Sequence, residues 1–151
     1  MLECRVCHLM HRCATSSLNG FEGCKNADEP NLYYTVGSKL KVTLDSQIAT
    51  NRFERLDLWT AIQLPSGEFL FRTPLAFSPF RFYQPPQYNG EAFMPNVEFA
   101  NREDNVLEFD VPPHFSGKYI FYALYVALGK NPLLDSTSWR SSLAVKEITL
   151  E

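Results

Sequence analysis

Lys118-Tyr119-Ile120-Phe121-Tyr122-Ala123-Leu124-Tyr125-Val126-Ala127-Leu128 is the stretch on which the fold turns. Read with a period of two, it places Tyr119, Phe121, Ala123 and Tyr125 on one face and Ile120, Tyr122, Leu124 and Val126 on the other. Both faces are apolar. A strand of that kind belongs at the centre of a sheet that is covered on both sides.

Half-buried strands flank it in sequence. Leu40, Val42 and Leu44 alternate with Lys39, Lys41 and Thr43, and Leu56, Leu58, Thr60, Ile62 and Leu64 share a parity opposite to that of Trp59. Pro65-Ser66-Gly67 turns the chain into Glu68–Arg72, a predicted hairpin partner. Leu107, Phe109 and Val111 alternate with Glu108 and Asp110. A last strand is predicted from about Leu143 to Glu151, with a β-bulge near Lys146-Glu147, because the apolar parity changes between Val145 and Ile148. No long stretch has an apolar period of 3.6. The predicted class is all-β, and short strands parted by turns favour a two-sheet sandwich over a closed barrel.

The 151 residues suit one domain with a short arm. A formal charge of −3 without a basic block argues against nucleic acid or anionic membrane as the main partner. No apolar run reaches the roughly 18 residues a membrane-spanning helix needs. The chain carries no G-x-S-x-G, H-E-x-x-H, P-loop or dinucleotide-binding glycine pattern, so no catalytic role is assigned and the reading is non-enzymatic.

Residues 73–101 interrupt the alternation with Phe77, Phe80, Phe82, Tyr83, Tyr88, Phe93 and Phe99 among five prolines. So apolar a connection is predicted to cross the sandwich and cover the second face of the central strand. The alternative is a binding or assembly surface.

Residues 1–31 form a predicted irregular arm, and residues 32–151 the sandwich. The arm holds all four cysteines, Cys4, Cys7, Cys13 and Cys24, and two of the three histidines, His8 and His11. Such concentration points to cross-linking or to a held metal or cofactor. Three chemistries fit. Cys4-Arg5-Val6-Cys7-His8 matches C-x-x-C-H. The four thiols with His8 and His11 also supply enough ligands for a structural zinc site. Two disulfides would staple the arm of a secreted domain, with pairing across to Cys13 and Cys24 favoured over a tight Cys4–Cys7 bridge.

The C-x-x-C-H run resembles the attachment site of c-type cytochromes. That resemblance implies a covalent haem c on Cys4 and Cys7, with His8 as an iron ligand and Cys13 and Cys24 left as a pair for a disulfide. His114 and Met94 are candidates for the sixth ligand. His11 of one copy reaching the haem of the next would give a head-to-tail oligomer or filament. An exported monohaem electron-transfer protein with redox partner proteins follows, in mature form, extracellular or periplasmic.

Val111-Pro112-Pro113-His114-Phe115-Ser116-Gly117-Lys118-Tyr119 resembles the corner before strand F of immunoglobulin-like and fibronectin-III-like domains, which implies a Tyr119 hydroxyl bonded to upstream backbone and Trp59 in the place of their strand-C tryptophan. Leu58–Gly67 and Gly117–Ala123 are similar to modules of bacterial secreted proteins. On that reading the alternative function is a secreted surface, fibre or binding module, with 73–101 as its contact face.

Overall fold

A computed structural model describes residues 3–8, 32–47, 55–98 and 102–151. Ten strands occupy them: β1 (Glu3–His8), β2 (Leu32–Tyr34), β3 (Lys39–Gln47), β4 (Leu56–Gln63), β5 (Phe69–Arg72), β6 (Phe80–Phe82), β7 (Met94–Val97), β8 (Arg102–Asp110), β9 (Gly117–Ala127) and β10 (Ala144–Leu150). One sheet runs β1-β3-β8 and the other β2-β10-β9-β4-β5-β6, with β7 also on β4. All pairings are antiparallel except β2 with β10. The molecule is an all-β, immunoglobulin-like two-sheet sandwich.

The two-faced strand sits where its pattern requires. β9 lies between β10 and β4, and its two faces serve two separate clusters. Phe121, Ala123 and Tyr125 point into the space between the sheets with Leu40, Val42, Leu44, Leu56, Leu58 and Ile62. Leu124 and Val126 pack on the outer side with Trp59, Ala61, Phe71 and Tyr88. Complete burial of one such aliphatic or aromatic side chain contributes about 1.5–3 kcal/mol, so the inner cluster dominates the stability.

Four local expectations are corrected. The arm is not irregular from its start: residues 3–8 pair antiparallel with β3, Cys4 opposite Ser46 and His8 opposite Val42. β10 carries no bulge, because its register to β9 is continuous from Ala144 opposite Ala123 to Leu150 opposite Gly117. The parity change in its sequence arises because Val145 faces solvent, 53% exposed, while Ala144, Ile148 and Leu150 face the core. Trp59 lies outside the inter-sheet core, on the outer face of β4. Tyr119 stands inside β9, packed against the inter-sheet core, and among the described residues its hydroxyl bonds no upstream backbone.

The bulge falls in β8 instead. The register to β3 shifts between Val42 and Thr43, which leaves Val106 as the extra residue. Buried Asp104 and Val106 share one parity and half-buried Leu107 and Phe109 the other, as a one-residue insertion dictates. The interrupted stretch 73–101 contains β6 and β7. Tyr83, Tyr88 and Ala92 from it pack on the outer cluster, so this part does cover the second face of the central strands.

Candidate functional site

Strand alternation on three neighbours builds an aromatic floor on the outer face of the larger sheet. β4 turns Trp59 and Ala61 outward, β9 turns Tyr122 and Leu124, and β5 turns Phe69 and Phe71. Trp59 meets Phe71 edge-on with centroids 6.0 Å apart. Phe71 lies 5.7 Å from Tyr83, and Phe69 6.0 Å from Tyr122.

The β9–β10 connection raises a wall over that floor. Pro132, Leu133, Trp139 and Leu143 close a cleft of about 240 Å³ with the floor residues. Polar bonds fix this wall. The Trp139 indole N–H donates to the Pro132 carbonyl at 3.2 Å, and the Arg140 N–H donates to the Tyr125 carbonyl at 2.9 Å. The Asn131 amide donates to the Asn89 carbonyl at 3.0 Å, tying the wall to the 84–89 turn. Asp135 starts a single 3₁₀ turn, Ser136–Ser138, by accepting from the Thr137 N–H at 3.0 Å and its hydroxyl at 2.6 Å. Those Thr137 bonds hold the Asp135 carboxyl below the usual carboxylate range.

The cleft is bounded by carbon. No charged side chain lines it, and its lining residues with side-chain hydroxyls are Thr60, Tyr83 and Tyr122. Two adjacent polar groups of β4 are buried without a hydrogen-bond partner among the described residues, the Trp59 indole N–H and the Thr60 hydroxyl. Behind the floor, Tyr88 donates to Glu91 at 3.2 Å and lies under Arg81, whose guanidinium is 4.3 Å from the ring centroid. Burial, followed by the Glu91 charge, pushes the Tyr88 hydroxyl up to about 12.

The residues singled out in the sequence lie elsewhere. Cys4, Cys7 and His8 are on β1, at the edge of the three-stranded sheet. Positions three apart on a strand lie on opposite faces, with Cα atoms roughly 10 Å apart. A disulfide spans at most about 7 Å between Cα atoms, so a Cys4–Cys7 bridge does not fit β1.

Met94 is in β7 opposite Leu58 and packs half-buried against the inter-sheet core. His114 occupies the exposed β8–β9 turn with φ 79°. His11, Cys13 and Cys24 lie outside the described residues. Among the described residues, no three His, Cys, Asp or Glu side chains are placed to hold a metal, and no helix is long and apolar enough to cross a membrane.

Sequence reading missed the wall of the cleft. Its signal was present: Pro132-Leu133-Leu134 and Trp139 stand in an otherwise polar connection, where such apolar residues need a surface to cover. No protein-family model matches the chain, and no curated protein matches it.

Proposed function

We propose that this protein is a non-enzymatic binding module that holds a small apolar molecule of one or two rings in the outer aromatic cleft. The observation that carries the reading is the cleft itself. It has a preformed volume of about 240 Å³ and walls of Trp59, Phe69, Phe71, Tyr122, Leu133 and Trp139, without charge. Pockets for small molecules are concave and mostly apolar, with few polar groups to orient the ligand. Export to the cell exterior or periplasm, with disulfides from Cys13 and Cys24 stapling the arm, accords with the cysteine distribution.

Both tryptophans of the chain line this cleft, so their emission reports on it directly. Titration with 4-bromobenzyl alcohol, a single ring bearing a heavy-atom quencher, tests the reading. Saturable quenching supports the cleft as a site. Quenching that rises linearly with concentration means collision only and removes the proposal.

A second reading rests on the C-x-x-C-H motif: an exported monohaem electron-transfer protein that self-assembles through its arm. The motif lies on β1, which pairs with β3. A reduced-minus-oxidised spectrum of protein from a host with haem-attachment machinery decides it. A sharp α band that survives acid-acetone extraction establishes the haem, and its absence ends this reading.

A further inference from the structure

A second cavity, of about 230 Å³, lies between the two sheets on the opposite side of β4 and β9 from the outer cleft. Leu40, Ile62, Phe121, Ile148 and Leu150 form its buried floor. Its mouth is at the β8–β9 turn, where Pro112 is half-buried and Phe115 is 49% exposed. Phe115 sits 6.5 Å from the Phe109 ring and leans over the opening. Among the lining residues Tyr119 alone carries a polar side-chain atom. Its hydroxyl has no partner among the described residues, and burial holds its pKa above the usual value.

Such a cavity is unsuited to water, which needs two to four polar partners. It is larger than the cavities of about 150 Å³, lined by Leu, Ile and Phe, that accept a benzene ring. We propose that this cavity binds an unbranched alkyl chain of medium length, with its single polar head at the mouth beside the Tyr119 hydroxyl. At roughly 30 Å³ per methylene, close to the volume of a water molecule, the cavity holds on the order of eight carbons. A ligand with several hydroxyls is rejected, because only one polar group meets it.

The site is independent of the outer cleft. Neither tryptophan lines it, so failure of one reading leaves the other standing. The test is calorimetric titration of the whole protein with primary alcohols from 1-butanol to 1-decanol. The expected result is saturable binding that tightens about fourfold per added methylene and levels off near eight carbons. Leu107→Phe within β8 and Leu64→Phe just past the end of β4, each filling the cavity from a different sheet, are expected to weaken 1-octanol binding at least tenfold while circular dichroism shows the fold intact. No saturable binding across the series overturns the proposal. So does tightening that continues unchanged to ten carbons, or 1-octanol affinity that stays at the wild-type value in both folded variants.

Discussion

The Tyr125 hydroxyl on β9 donates a 2.9 Å hydrogen bond to Ser46 Oγ on β3, joining the two sheets through groups that are both fully buried. Immunoglobulin domains of antibodies join their sheets with a disulfide. Among the described residues, a polar tie spans this core instead. Tyr125→Phe is expected to destabilise the protein by about 1–3 kcal/mol, because Ser46 is left buried without its partner. Ser46→Ala in the same background is expected to recover part of the loss, read as a shift in the urea midpoint. Additive effects of the two substitutions would show that the bond contributes nothing.

Gly90 has φ +82°, and a Cβ there would lie 2.9 Å from Trp59 Cζ3. Gly37 has nearly the same φ, +83°, but a Cβ there meets nothing within 4 Å. Gly37→Ala therefore costs only the left-handed strain, about 1 kcal/mol. Gly90→Ala is expected to cost more and to alter tryptophan emission, since the indole must move. Equal thermal unfolding shifts for the two variants would contradict the close packing of the 84–92 turn on the cleft floor.

Asp57 clips two backbone segments to the start of β4. Its Oδ1 accepts from the Asn96 N–H and its Oδ2 from the Gly129 N–H, each at 2.8 Å. Asn96 has φ 58°, a left-handed conformation that this bond helps hold. Asp57→Asn replaces one acceptor by an N–H donor and is expected to cost about 1–3 kcal/mol. Hydrogen exchange at the Asn96 and Gly129 amides checks it: both are expected to exchange faster in the variant.

The raised Tyr88 hydroxyl makes alkaline stability diagnostic. The folded state holds this proton more tightly than the unfolded chain, where the pKa is near 10. Its contribution is complete below pH 10 and is lost as pH rises through about 12. Burial acts first and the Glu91 charge second. Tyr88→Phe is expected to flatten the loss of stability between pH 10 and 12, and to remove the last-ionising component of the tyrosinate absorbance. An unchanged alkaline profile would place Tyr88 outside the outer cluster.

The central strand was legible because both of its parities are apolar, and β3 and β4 because theirs alternate. Where the pleat is broken, alternation misleads. Val106 and Leu107 both serve the core across a bulge, so the pattern of Leu107, Phe109 and Val111 shows only half of β8. Val145 is an apolar residue left in solvent, which sequence parity misreads as a register change. β1 escaped notice because Glu3-Cys4-Arg5-Val6-Cys7-His8 draws attention to its thiols, although Cys4 and Val6 alternate with Glu3 and Arg5. The cleft was half visible. The 73–101 stretch announces apolar cover, but the partnership of Trp59 with Trp139 depends on how the β9–β10 connection folds back.

That partnership is tested most directly by the two indole N–H signals in a ¹H–¹⁵N spectrum, followed while 4-bromobenzyl alcohol is added. Trp139 is bonded to Pro132 and Trp59 has no partner, so the two signals are expected to be well separated. Binding in the cleft predicts that both shift saturably with one dissociation constant, while the amide of Gly37 in the β2–β3 turn stays fixed. Indole signals that remain in place, or that shift linearly together with Gly37, would contradict the assignment of the outer cleft as the binding site.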